Sequence, residues 1–171
     1  LPTSGAARWI PLASPLASAA TAWKDGLIAP TRVGQVFYLG SNGESQATPF
    51  QPLLQPGTEW NYQPAAVVGE QQFILTDGRE KMYLVALVNQ PQPHLKSVAE
   101  AKLPHPVDTP SVVLNNFAMA VASSSHIVRF ELPALELAGE ANLPAPGRGG
   151  GGKGGEPMLL SPPDHRPPGI S

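Results

Sequence analysis

The stretch Ala65-Ala66-Val67-Val68-Gly69-Glu70-Gln71-Gln72-Phe73-Ile74-Leu75-Thr76-Asp77-Gly78, continued by Met82-Tyr83-Leu84-Val85-Ala86-Leu87, decides the fold. Three short apolar runs, Ala65 to Val68, Gln72 to Leu75 and Met82 to Val88, are separated by turn chemistry at Gly69-Glu70 and Thr76-Asp77-Gly78-Arg79. Asp-Gly between apolar runs signals a hairpin, because glycine supplies a positive φ at no steric cost. A fourth run follows Asn89-Gln90-Pro91-Gln92-Pro93 and alternates Leu95, Ser97, Ala99 and Ala101, the period-two pattern of a half-buried strand. The segment predicts four strands joined by short turns.

The same pattern recurs on both sides at a shift of 45 residues, with apolar positions falling on apolar ones. Trp23, Val68 and Val113 coincide, as do Ile28, Phe73 and Ala118; Phe37, Met82 and Ile127; Tyr38, Tyr83 and Val128; and Leu53, Val98 and Leu143. Asp25, Glu70 and Asn115 are polar at equivalent turn-side positions. The third copy reads as strands Ser111 to Leu114, Phe117 to Ala122, His126 to Leu132 and Leu135 to Ala141. The first reads as Ala20 to Trp23, Leu27 to Ala29, Gln35 to Leu39 and a less regular fourth strand near Phe50 to Leu54. On this register Phe73, Tyr83 and Val98 are expected in the interior of one unit, and Ile28, Tyr38 and Leu53 in the interior of the unit before it.

Composition agrees with an all-β chain. Only 14% of the 171 residues are Asp, Glu, Lys or Arg, against 21 prolines and 17 glycines. Frequent Pro and Gly break helices and suit short strands joined by turns. A net charge of −2 is too small to steer the chain towards nucleic acid or an anionic membrane, so no nucleic-acid partner is expected. Absence of cysteine excludes disulfides, thiolate nucleophiles and Cys-ligated metal sites. The apolar stretches are interrupted well short of the ~20 residues a spanning helix needs, so no membrane span is expected. The chain opens on Leu1 and not on Met, from which a missing N-terminal segment is expected and the compartment is left unread.

Four antiparallel strands recurring every ~40–50 residues is the arithmetic of β-propeller blades. The segment Ala65 to Gly78 together with Met82 to Leu87 resembles the pyrroloquinoline-quinone-type propeller repeat, in which a strand leads into a turn and the next ends in Tyr-x-x-x-Leu, as Tyr83 to Leu87 does. The resemblance covers about Ala17 to Leu143. It departs from that family in the third copy, where Ala138-Gly139-Glu140-Ala141 replaces the family's Thr-Gly turn and closing Trp, and no Gly-His or Trp-Asp dipeptide of the WD type occurs. The fold class expected is therefore all-β: a partial β-propeller of about three four-stranded antiparallel blades with a disordered C-terminal tail. Residues 1–16 are read as the end of a truncated preceding blade or a loose arm carrying Trp9, 17–143 as the blades, and 144–171 as a Gly/Pro-rich tail. Propellers close with ~4–8 blades, so further blades from the rest of a larger protein are expected to complete it.

No catalytic, cofactor-binding or metal-binding residue emerges. Gly147 to Lys153 fits the frame of a phosphate-binding loop, but Gly154 stands where Ser or Thr should hold magnesium, and Glu156-Pro157 where a helix should begin. Ser123-Ser124-Ser125-His126, with Asp77 or Asp108 as a third member, reads as a hairpin turn in preference to a catalytic triad. His94, His105, His126 and His165 lack metal-ligand spacing. Trp23, Trp60, Tyr38, Tyr62 and Tyr83 are expected to pack between blades before lining a groove. The most charged turn, Asp77-Gly78-Arg79 with Lys81, is the candidate partner-binding loop, since propellers present such loops at their rims. The resulting reading is a non-catalytic scaffold or binding module whose loops contact a protein or small ligand, with no cofactor. Its rival is a fragment of a pyrroloquinoline-quinone-type oxidoreductase, a class in which the resemblance implies that cofactor and a calcium ion on the propeller axis. A sandwich domain with a coincidental repeat is a third reading.

Overall fold

The computed structural model describes residues 9–53, 57–123 and 125–144. Within them β1 (Thr21–Trp23), β2 (Gly26–Pro30) and β3 (Val36–Gly40) form one antiparallel sheet. A second holds β4 (Ala66–Val67), β5 (Gln72–Thr76), β6 (Lys81–Val88) and β7 (His94–Lys102). A third holds β8 (Val112–Leu114), β9 (Phe117–Val121), β10 (His126–Glu131) and β11 (Glu136–Asn142). Each sheet is a meander in which every strand pairs with its neighbour in sequence. No helix occurs among the described residues, and so none is long and apolar enough to cross a membrane. The tail expected beyond Pro144, with its Gly147 to Lys153 loop, lies outside the described residues.

The three sheets stack face to face, which explains why the middle one is apolar on both sides. Residues Met82 to Ala86 of β6 are all buried. Tyr83 and Val85 point into a core shared with the first sheet, and Met82 and Leu84 into a core shared with the third. A strand covered on both faces reads as a continuous apolar run, as in Met-Tyr-Leu-Val-Ala. In the third sheet the described residues cover only one face, and the alternation is clean: Ala118, Ala120, Val128 and Phe130 are buried against the middle sheet. Phe117, Met119, Val121 and Ile127 on the other face are only half-buried, and Val112 and Leu114 beside them are exposed. The first strands of adjacent sheets lie near one another: β4 touches β8, and the Thr21 hydroxyl at the start of β1 donates to the Ala65 carbonyl just before β4 at 3.1 Å. Sheets whose first strands converge while their faces stack are arranged as propeller blades are.

Two sequence expectations are corrected. The fourth strand expected near Phe50 to Leu54 does not form among the described residues, which give the first blade three strands. Phe50 and Val36 exchange both backbone hydrogen bonds, at 3.0 and 2.9 Å, and Ser45 bridges Leu39, but nothing regular joins the two bridges. Pro49 and Pro52 flank Phe50 without N–H groups to donate, and Thr48 turns away to bond Pro93 and Leu95 at the start of β7. The second correction concerns Leu53 and Val98, which are 94% and 48% exposed. Val98 is the extra residue of a β-bulge: Leu84 pairs with Ala99 and Val85 with Ser97, leaving Val98 unopposed and pointing outward.

The repeat register also shifts by one residue between the first two copies. The pair Leu27–Leu39 corresponds to Phe73–Val85, 46 residues on, whereas Phe73–Val85 corresponds to Ala118–Phe130, 45 residues on. A one-residue slip reverses every face. Tyr38 and Tyr83 are therefore not equivalent positions; they enter the same core from opposite sheets. Trp9 is 94% exposed and residues 9–12 belong to no strand.

Candidate functional site

The Asp77 to Lys81 turn is built by the aspartate itself. One Asp77 carboxylate oxygen accepts the backbone N–H groups of Arg79, Glu80 and Lys81, each at 2.9 Å. A carboxylate that gathers three amides fixes the turn in place of water. Gly78 follows in the left-handed region at φ 75°, and a Cβ there would sit 2.6 Å from the Asn61 carbonyl oxygen, so glycine is required on both counts. The base of the turn is closed by Asp77 N–H to the Lys81 carbonyl at 3.0 Å and Leu103 N–H to the Glu80 carbonyl at 2.7 Å.

Facing the turn is the connector between the first two blades. The Trp60 backbone N–H donates to the Arg32 carbonyl at 3.0 Å, and the buried Tyr62 hydroxyl donates to the Gly34 carbonyl at 3.1 Å. Gly34, at φ 92°, admits the Trp60 indole where a Cβ would lie 2.7 Å from its nitrogen. Trp60 in turn stacks on Tyr62 at 5.4 Å.

Between turn and connector opens a cleft of about 320 Å³, lined by Glu59, Trp60, Asp77, Arg79, Glu80, Lys81, Tyr83 and Glu100, with Pro52, Leu53 and Thr58 at its edge. Its volume is at the small end of the ~300–1,000 Å³ of ligand pockets, enough for a side chain or a short segment of one. Lys81 reaches Glu100 at 3.5 Å across half-exposed surface, a pair that contributes little to stability. Burial pushes the Tyr83 phenol well above its ordinary range, reinforced by the nearby Asp77 and Glu100 carboxylates, so its hydroxyl stays protonated.

Of the three residues marked in the sequence as a partner-binding loop, Arg79 and Lys81 are exposed at the cleft, whereas Asp77 is buried and spends its carboxylate on the turn. Trp60 and Tyr83, singled out in the sequence for packing between blades ahead of lining a groove, line the cleft; Glu59 and Glu100 join them without any sequence signal, Glu100 through the pairing of β6 with β7. Trp23, Tyr38, Tyr62 and Tyr83 do pack between blades. The histidines are less scattered than their spacing implies. His105 stacks on His126 at 4.7 Å, and its Nε2 lies 3.5 Å from a Glu140 carboxylate oxygen. Among the described residues no group of three or more His, Asp or Glu is gathered to hold a metal ion.

Three stacked antiparallel meanders with converging first strands constitute a β-propeller-type architecture, and comparison with solved structures agrees. BamB from Moraxella catarrhalis superimposes on 77% of the chain with a TM-score of 0.57 at 16% sequence identity. The Pan2 WD40 domain of Neurospora crassa covers 72% with a TM-score of 0.51 at 10% identity. The chain spans 37% and 35% of the lengths of those two proteins. At such identities the likeness is one of fold. No protein-family model matches the chain, and no curated protein matches it by sequence.

Proposed function

We propose that the chain is a non-catalytic β-propeller binding module, of the pyrroloquinoline-quinone-like type and completed by further blades, which engages a protein or small ligand at the rim turn Asp77 to Lys81. The observation that carries this reading is the cleft between that turn and Trp60: a concave site walled by aromatic and charged side chains and held by backbone hydrogen bonds. Rim loops held rigid by a scaffold are where propeller-like folds place recognition. The oxidoreductase reading would need carboxylates converging on calcium, and the described residues offer no such donor set.

The test is selection of short peptides from a random library against the full chain, followed by mapping of the binding site by amide shifts. Binders are expected to move the amides of Arg79, Glu80 and Lys81, and Arg79→Ala should weaken them without changing the melting temperature. Asp77→Ala should abolish them by releasing three amides, at a cost of ~1–3 kcal/mol in stability. Binders that map instead to the open face of β8, β9 and β10 would overturn the rim assignment.

A further inference from the structure

We infer that the open face of the third blade is a dimerisation surface: a second copy of the chain docks on it about a two-fold axis, with Arg129 of each copy paired to Glu131 of the other. The inference is independent of the rim cleft, and it gives to a second copy a face that a further blade would otherwise cover. That face is apolar. Phe117, Met119, Val121 and Ile127 are half-buried on it, and Val112 and Leu114 are 57% and 56% exposed. Covering such a patch is favourable in proportion to the apolar area removed from water.

Strand register lays the face out in rows. Val112, Met119 and Arg129 are level across β8, β9 and β10, with Gly139 of β11 beside them. Two residues further along β10, the next row holds Leu114, Phe117, Glu131 and Glu136. An axis lying between these rows, at right angles to the strands, brings each row of one copy over the other row of its partner. Val112 then meets the partner's Leu114, Met119 the partner's Phe117, and Arg129 the partner's Glu131. Glu136 falls against the partner's Gly139, which has no side chain to obstruct it. Every contact is made twice, as in any isologous interface. Twisted sheets pack with their strands ~30° apart, so the approach is closest at the axis, where both rows lie.

Charge decides between a second copy and a further blade. Arg129 lies over the Phe117 ring at 4.7 Å and reaches the Ala138 carbonyl at 3.5 Å, and neither Arg129 nor Glu131 has an ion-pair partner among the described residues. Burying an unpaired charge is costly, so a sheet that covers this face must bring a carboxylate to Arg129. A blade stacked as the third stacks on the second does not. The middle blade has Ile74, Met82 and Leu84 at the repeat positions of Met119, Ile127 and Arg129, and the third blade meets them with Ala118, Ala120 and Phe130. A second copy supplies the carboxylate, and takes the cation in return, from the same two residues.

The experiment is sedimentation equilibrium of the full chain from about 10 μM to about 1 mM, a range that captures weak dimers. The mass should rise from that of one copy towards that of two and stop there. Arg129→Glu and Glu131→Arg, each alone, set like charges face to face and should weaken the dimer at least about tenfold, with the far-UV circular dichroism unchanged. An equal mixture of the two variants should recover a dimer, because each supplies the charge the other lacks. The double variant, Arg129→Glu with Glu131→Arg, should dimerise as the native chain does. A monomer throughout the range would overturn the proposal and leave the face to a further sheet. A dimer that either single variant leaves intact, or that the mixture fails to restore, would place self-association on another surface. Growth beyond two copies would exclude a closed two-fold contact.

Discussion

The two cores on either side of the middle blade are built from different chemistry. Between the first and second blades lie Trp23, Tyr38, Phe50, Tyr62, Phe73 and Tyr83, with Trp23 edge-on to both Tyr38 and Phe73 at 5.0 and 5.3 Å. Three of these rings reach polar partners: the Trp23 indole donates to the Gly69 carbonyl at 3.0 Å, the Tyr38 hydroxyl to Asp25 and the Tyr62 hydroxyl to the Gly34 carbonyl. Between the second and third blades lie Ala118, Ala120, Ala122, Ile74, Met82, Leu84, Val107 and Val128, with Phe130 the one aromatic residue. The first interface is aromatic, directional and hydrogen-bonded at its margins; the second is aliphatic and non-directional. The cleft lies on the aromatic side, with Tyr83 serving both core and site.

The largest effect that would sharpen this contrast comes from truncating one ring in each core. Phe73 and Phe130 are both fully buried, so each change to Ala should cost ~3–5 kcal/mol by denaturant unfolding. Phe73→Ala should in addition shift the Trp23 signal and loosen the cleft, because Phe73 packs on that indole; Phe130→Ala should leave both untouched. If Phe130→Ala disturbed the cleft equally, the two cores would be one cooperative body and the distinction would lose its meaning.

A somewhat smaller effect separates the cores by pH. Tyr38, Tyr62 and Tyr83 all sit in the first core, and none of the second core's residues titrates. Burial raises each phenol, the Tyr38 hydroxyl to about 12 from an ordinary 10.0, with the hydrogen bond to Asp25 adding to the rise. Above pH 10 the unfolded chain loses phenolic protons that the folded chain retains. Stability is therefore complete below pH 10 and falls as pH rises towards 12. Melting temperatures followed by circular dichroism should decline over that window in the native chain and less steeply in Tyr38→Phe. A flat profile would mean the phenols are not held by burial.

How much of this was legible follows from where each signal resides. Turns announce themselves locally, and Asp77-Gly78 was readable because one side chain and one backbone freedom suffice to make it. The strands of the second and third blades were readable from alternation and apolar runs. Register was not: a shift of 45 matched apolar residues as well as 46 would, since both faces of the middle blade are apolar, and hydropathy alone cannot tell the two faces of such a strand apart. The prolines around Phe50 were visible as punctuation, but that they and Thr48's departure to β7 would dissolve a strand depended on the neighbouring blade. The cleft was half visible, as a charged turn. Its other wall comes from a connector that repeats nowhere, and only the stacking of blades brings Trp60 to Tyr83.

The smallest predicted effect tests the bulge that sets the outer edge of the middle blade. Val98 and Leu95 lie three residues apart on β7, both apolar, and the repeat alone would place Val98 inside. Pairing says otherwise: Leu95 is buried in the aromatic core, while Val98 stands unopposed between Ser97 and Ala99 with its side chain outward. Val98→Ala should change stability by less than ~0.5 kcal/mol, as expected of an exposed position away from any structural device. Leu95→Ala should cost ~2–5 kcal/mol, because it leaves a cavity beside rigid rings that cannot close over it. The pair of unfolding curves decides between two strands, one bulged and one straight. Without the bulge the residues beyond Val98 would reverse faces relative to Leu95, and Glu100 would leave the face it shares with Tyr83. A loss of more than about 1.5 kcal/mol in Val98→Ala would therefore show that the bulge is absent, and with it the outward Glu100 that completes the cleft.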